Sequence, residues 1–509
     1  MQSGADPTSD VPYTAGFYRE MAPSHVAFAA LVGGSAPGAA VHPRRVLELG
    51  FGQGFGLALL AAANPDVAFE GCDLIAENVA HARRLVDGAK LQNVTLAQAS
   101  FEDYAAQDGG EVDVAAMHGV LTWISPAARK AAIGIVARRL RPGGLFYVSY
   151  NCLPGWAPME PIRQLALAVK QRSGGTSLEQ LNTALDLLAG LRRGKAVYFA
   201  ASAAAAHHLD QMQTMDPRYL VHEYLTDHWE PRHFFDVASQ MGSAGLAYAG
   251  SATLTENIDQ CAVPMETLPL LSQIADPAVR ETVRDFAANK QFRRDVYVRG
   301  GSPLMYEERY RAWSQIRFVL AVPRDRVVFS FTGPLTVLNG NPALYAPIMD
   351  RLDQSPAGFE ELLALSPAYQ TRVALLMECL TLLVHSGQVF PLMAPPCADA
   401  TPAQRFNRML VEKARAGEVF DNLASPVLRT GIPVSDFGLL ALSALFEGKG
   451  EDPHQAATHG LAILKGLGRR PLKELRPIER DSDAIEFLAE HMQSILEQAV
   501  PVWRRLGAL

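Results

Sequence analysis

Residues 44–65, RRVLELGFGQGFGLALLAAANP, constrain the fold more than any other stretch of the 509-residue chain. Val46, Leu47 and Leu49 read as a short buried strand, Gly50, Gly52 and Gly54 as a tight turn, and the following Ala/Leu run as a helix closed before Pro65. A strand, a glycine turn and a helix in succession open a doubly wound α/β sheet, in which ligands sit at the carboxyl ends of the strands.

The spacing of the glycines narrows the ligand. A dinucleotide fingerprint, GxGxxG, needs a third glycine where this chain has Phe55, so NAD is disfavoured. No P-loop lysine follows, so nothing in the loop balances a triphosphate. S-adenosylmethionine (AdoMet) carries no phosphate, and its amino-acid end needs close backbone approach, which Gly50, Gly52 and Gly54 permit. Glu48, at the strand end, can receive its ammonium. The next expected strand, VAFEGCDL at 67–74, ends in Asp73, nineteen residues after Gly54, where a carboxylate accepts ribose hydroxyls. Three more strands are expected at 93–100, 112–120 and 145–151, the last entered through an RPGG turn, with helices between them. A mostly parallel sheet follows.

Single cores stop growing near roughly 250–300 residues, so a chain of this length is expected to divide. Lys+Arg number 46 against Asp+Glu 53, a net charge of -7, and this balance offers no general attraction to a phosphate backbone. The start, MQSGADPTSD, lacks the pattern of a secretion signal, and no apolar run reaches the ~20 residues of a membrane span. A cytoplasmic protein without membrane insertion or nucleic-acid partner is expected. The five cysteines include no CxxC pair and read as reduced core thiols.

With ELGFGQG, Asp73, MHGVLTWIS and VSYNCLPGW in view, the chain resembles class I methyltransferases that carry a methyltransferase regulatory domain. In the same segments it is similar to the rickettsial outer-membrane-protein lysine methyltransferases. The resemblance is strong over residues 11–156 and thinner through YLVHEYL (219–225) and DFAANKQFRR (285–294). It implies that Gly50, Gly52, Gly54 and Asp73 hold AdoMet and that Glu48 orders the loop, with Phe51, Leu74 and Gly119 beside them. Where many class I enzymes place an Asp to bond adenine, this chain has Ser100, with Phe101 able to cover the ring.

Methyl transfer from a sulfonium is an in-line displacement that needs alignment and exclusion of water, with no metal or covalent nucleophile. A lysine acceptor has to arrive neutral, which a desolvated aromatic pocket favours. Candidates for such a pocket are Trp123, Tyr150, Asn151 and Trp156. Both tryptophans equally suit interdomain packing. His118 is either a base, a partner for the cofactor carboxylate, or a structural histidine. Tyr13 and Tyr18 could close over the methionine end as a lid. The N/D-PP-Y/W motif of amino-group nucleic-acid methyltransferases is replaced by HGVLTW. His207, His208, His222, His228 and His233 invite a metal reading, but Thr226 stands where HExxH needs its second histidine, so no metal is expected.

The chain is therefore expected to form an α/β, Rossmann-like class I methyltransferase domain (1–156) followed by mainly helical α and α+β domains. These are a helical insertion (157–215), a regulatory middle domain (216–310), a winged-helix-like domain (311–395) and a helical end (396–509). The resemblance suggests that the insertion serves homodimerisation. In the winged-helix-like part, the candidate recognition helix TRVALLMECLTLLV is mostly apolar, which favours a protein contact over DNA. The leading expectation is AdoMet-dependent methylation of a protein substrate, at lysine side chains. A small-molecule methyltransferase and a non-catalytic AdoMet-binding scaffold remain the alternatives.

Overall fold

The computed structural model describes residues 16–450 and 452–509; Tyr13 lies outside them. A seven-stranded sheet organises the first 300 residues. Its strands are β1 (Arg45–Leu49), β2 (Ala68–Asp73), β3 (Val94–Gln98), β4 (Val112–Met117), β5 (Leu140–Asn151), β6 (Leu246–Ser251) and β7 (Phe292–Arg299). They lie in the order β3-β2-β1-β4-β5-β7-β6. The first five pair in parallel, whereas β7 pairs antiparallel with both β5 and β6. β1 sits between β2 and β4 and buries four of its five residues, as a strand covered on both faces must. Strand order reverses beside β1, so the crevice at its carboxyl end is the topological switch point of the sheet.

The sheet corrects the expected boundary at residue 156. Its last two strands come from beyond 245, and the helices between β5 and β6 are an insertion into the sheet domain. Strand limits also shift. β5 begins at Leu140, and a register shift lets Arg141–Gly144 loop out within the strand, so RPGG is no turn ahead of it. β4 ends at Met117 because Gly119 turns the chain at φ +63°.

The inserted helices include Glu160–Arg172, Ser177–Arg193, Ala203–Met212, Pro217–Tyr224 and Phe234–Ser243. Thr176 and Glu179 form a capping box at the start of the second. Trp156, Ile162, Leu181, Leu209 and Tyr224 share one buried cluster there. The helix Phe55–Ala63 after the glycine turn is apolar all round and almost wholly buried. Such a helix needs cover on its outer side. The C-terminal region supplies it: Phe406 and Phe420 meet Phe55 at 6.3 and 5.2 Å between ring centroids, and Arg429 forks onto Asp66 at 2.8 and 2.9 Å.

Residues 311–395 set helices against a three-stranded antiparallel sheet built from Arg317–Leu320, Ala357–Gly358 and Val389–Leu392. The expected strand at 326–335 is reduced to Ser330–Thr332, in a hairpin with Val337–Asn339. The candidate recognition helix, Val373–His385, buries Leu376, Cys379, Leu380, Leu383 and Val384 in the core. Among the described residues, no helix is long and apolar enough to cross a membrane, and all five cysteines are free thiols.

Candidate functional site

The carboxyl ends of β1, β4 and β5 open into a cavity of about 430 Å³. Its floor is the glycine turn, from Gly50 to Gly56, with Glu48 beneath. The turn's three leading glycines all have positive φ, at +75°, +57° and +75° for Gly50, Gly52 and Gly54. Their uses differ. A Cβ on Gly54 would stand 2.3 Å from the Cβ of Ala82, and one on Gly50 would stand 2.6 Å from Val120 Cγ2, so both are glycine for packing. A Cβ on Gly52 would meet no protein atom within 4 Å, and Gly52 lines the cavity. This open cradle is where a ligand can approach the backbone, as the amino-acid end of AdoMet requires.

Asp73 shapes that cradle from outside the cavity. Its Oδ2 accepts the Gly52 N–H at 2.8 Å, and its Oδ1 accepts the Ile75 N–H at 2.9 Å and an Asn78 N–H at 3.3 Å. Burial raises its pKa while these bonds oppose the rise. Glu48 is 8% exposed, and burial beside the Asp73 charge pushes its pKa up to about 8. A bound cation would reverse that shift, since an opposite charge favours the ionised form. Arg294, at the start of β7, lines the same cavity and lies 3.9 Å from Glu20. The cavity thus presents a carboxyl and a guanidinium, the two groups that a zwitterionic amino-acid end needs. Arg294 belongs to the DFAANKQFRR segment, whose basic pair gave no sign of pointing at the first domain.

The remaining candidates separate into those at the cavity and those away from it. Phe51, Gly119, Trp123, Asn151, Trp156 and Tyr18 line it, Tyr18 stacking on His118 with ring centroids 3.7 Å apart. Leu74 is 67% exposed and is not among the lining residues. Nor are Ser100 and Phe101. Ser100 caps the helix Phe101–Ala105, accepting the Asp103 N–H at 3.0 Å and donating to its carboxylate at 2.7 Å, while Phe101 packs against the core under the sheet.

One expectation is corrected and another narrowed. Tyr150 does not face the cavity: it is fully buried, and its hydroxyl donates to Asp295 Oδ2 at 2.6 Å on the far side of the strand. Side chains alternate along a strand, so Tyr150 and Asn151 face opposite ways. His118 lines the cavity, but burial and the Arg294 charge lower its pKa to about 3, and Nδ1 is held by Tyr147 at 2.8 Å and Ser149 at 3.1 Å. A neutral ring so held positions Tyr18 and the loop, and is too weak a base to take a proton near neutral pH.

The insertion adds residues that the linear pattern did not single out. Tyr219 and Glu223, one turn apart on the helix Pro217–Tyr224, line the same cavity as the glycine turn. Asn151 Nδ2 donates to Glu223 Oε1 at 2.7 Å, and Trp229 Nε1 donates to it at 3.1 Å. Burial pushes the Glu223 pKa up to about 7. The only linear sign was a lone acid in an apolar YLVHEYL run. The histidines of this region serve packing and local bonds, His208 with Tyr224 and His207 with Gln211, and no group of three His, Cys, Asp or Glu could hold a metal ion among the described residues.

Comparison with known proteins agrees with this geometry. A family described as a methyltransferase domain matches residues 46–144, and one described as a predicted methyltransferase regulatory domain matches residues 216–299. An uncharacterized protein of Synechocystis sp. is 30% identical over 500 residues, spanning 98% of both chains. An uncharacterized protein of Rickettsia prowazekii is 26% identical over 294 residues, 57% of this chain and 52% of that one. The structure of PKMT2 from Rickettsia typhi in complex with AdoHcy superposes with a TM-score of 0.69 at 18% identity, covering 97% of this chain and 99% of that one. The methyltransferase-domain and regulatory-domain matches, on this fold with its glycine cradle at the switch point, place the chain among the class I AdoMet-dependent methyltransferases that carry a methyltransferase regulatory domain.

Proposed function

We propose that the protein methylates the side-chain amine of lysine in a protein substrate. The observation that carries this reading is the composition of the cavity lining, which adds Trp123, Trp156, Tyr219 and Asn151 to the glycine cradle. Aromatic faces of this kind receive an alkyl chain that ends in a cation. They also lower the cost of a neutral amine by excluding water. The resemblance of the motifs to rickettsial lysine methyltransferases supports the same acceptor, as does the match in fold to PKMT2.

In this reading Gly52 gives the cofactor backbone access, Glu48 takes its ammonium and Arg294 its carboxylate. Asp73 holds the turn through Gly52 and Ile75, with the ribose hydroxyls as its proposed further partners. Bound AdoMet supplies an electrophilic methyl, the electrons of the broken C–S bond staying on sulfur. Trp123 and Trp156 align the acceptor, and the Tyr18 segment closes the methionine end against water. Leu187 and Leu191, four residues apart on the inserted helix Ser177–Arg193 and about half exposed at 50% and 48%, are the proposed contact for a second copy of the chain.

The test is to incubate the purified protein with methyl-labelled AdoMet and bacterial lysate, then separate macromolecules from small molecules. Label recovered from protein as methyl-lysine, and absent with Asp73→Ala, is the expected result. Label only among small molecules overturns the protein acceptor, and AdoMet binding without any transfer leaves either a missing substrate or a scaffold.

A further inference from the structure

An amine acceptor enters as an ammonium, and its nitrogen has no lone pair until a proton leaves. Among the charged or chargeable side chains lining the cavity are Glu48, Arg294 and Glu223. The first two are assigned to the cofactor's amino-acid end. Glu223 lines the cavity from the helix Pro217–Tyr224, on the segment that matches the regulatory-domain description.

Its surroundings are unusual for a carboxyl. Glu223 is only 2% exposed, yet among the described residues no cation pairs with it; Arg163 acts on it from a distance. Its partners are the neutral donors Asn151 and Trp229 at Oε1, together with a hydrogen bond from Tyr219. Neutral donors fix the carboxyl's direction without cancelling its charge. A buried carboxylate left without a cation is costly, and a bound cation would relieve that cost. Trp123 lines the same space, and its buried Nε1 has no hydrogen-bond partner in the protein. The pKa near 7 agrees with a group that exchanges a proton near neutrality.

We infer that Glu223 binds the acceptor's ammonium and takes its proton, so that the segment described as regulatory supplies a catalytic residue. In this step an N–H bond of the ammonium breaks and an O–H bond forms on Glu223. The N–H electron pair stays on nitrogen as the lone pair that receives the methyl. The carboxyl returns its proton to water as product leaves. The inference rests on an amine acceptor, and extends it by assigning the acceptor's charge to one residue.

The test uses the full-length protein saturated with AdoHcy and titrated with n-butylammonium by calorimetry, as wild type, Glu223→Gln and Glu223→Asp. Gln keeps an oxygen for Asn151 and Trp229 but removes the charge, whereas Asp keeps the charge and disturbs the packing. Wild type is expected to bind tightest, Asp next, and Gln on the order of 10- to 100-fold more weakly than wild type, the range of a lost charge-assisted bond. AdoHcy affinity is expected to stay the same in all three. A Gln variant that binds butylammonium as well as wild type, or better than Asp, overturns the assignment and leaves Glu223 a packing residue. In the labelled-lysate assay, Gln is expected to lose about 100-fold or more in methyl-lysine formation. Wild type that labels no lysine ends the lysine reading, and the butylammonium ranking still decides Glu223 on its own.

Discussion

The amide of Asn151 and the carboxyl of Glu223 meet at 2.7 Å, joining the last residue of β5 to a helix 72 residues further on. Through this bond the sheet and the insertion share one wall of the cavity. Asn151→Leu removes a donor from a buried carboxyl, and the expected loss of stability is about 1–3 kcal/mol. Chemical denaturation measures that loss. Loss of the donor also raises the Glu223 pKa further, so the variant's methylation is expected to recover as pH rises above about 7. A variant as stable as wild type with an unchanged pH profile would show that the bond has no role.

If Glu48 takes the cofactor's ammonium, as proposed, cofactor binding depends on pH. Its pKa of about 8 in the cofactor-free protein lies above the ordinary 4.5, so binding a cation there requires a proton to leave below pH 8. AdoMet affinity is expected to rise with pH up to about 8 and then level off, with proton release detectable by calorimetry in buffers of different ionisation heat. The same shift sets the sign of its stability contribution: it is fully present below pH 4.5 and is lost as pH rises through 8. Glu48→Gln is expected to flatten both profiles and to weaken AdoMet on the order of tenfold above about pH 8.

Gly52 and Gly54 are expected to fail in different ways. Either alanine variant carries the left-handed backbone cost of about 1–2 kcal/mol. Gly54→Ala adds the clash with Ala82, typically a further 1–3 kcal/mol, and should show mainly as a lower melting temperature. Gly52→Ala meets no protein atom, so it should fold nearly as well and lose at least about tenfold in AdoHcy affinity, or roughly 1.4 kcal/mol. Equal losses of affinity per folded molecule would remove the distinction between cradle and packing glycine.

Tyr150→Phe separates structure from chemistry at β5. Its hydroxyl holds Asp295 in a buried group where Arg293 also reaches Asp285 at 2.6 Å and Glu281 at 3.1 Å. The variant is expected to lose about 1–3 kcal/mol of stability while keeping its kcat, because Tyr150 is away from the cavity. A large fall in kcat without a change in stability would return Tyr150 to the acceptor pocket.

The glycine turn and its strand were legible in the linear chain because their backbone requirements are local. The strand, the glycine turn and the helix follow one another within residues 44–65, and Asp73 reaches the turn from the next strand. The period of the apolar residues and the backbone needs of glycine are properties of short segments, so the parallel half of the sheet and its switch point followed from them.

The rest of the cavity lining became visible only in three dimensions. Whether Tyr150 or Asn151 faces the cavity depends on the strand's side-chain alternation and on which face the antiparallel β7 and the inserted helices cover. His118 by its type suits a base, a cofactor partner or a structural histidine, and burial argues against the first of these. Glu223 and Arg294 stand 175 and 246 residues beyond Glu48, and only the closure of β6 and β7 onto β5 brings them to one cavity. Long-range pairing leaves no periodic trace in the segments it joins. It is decided by which surfaces must be buried together, so the amino-acid order specified the cradle and the assembled sheet chose its companions.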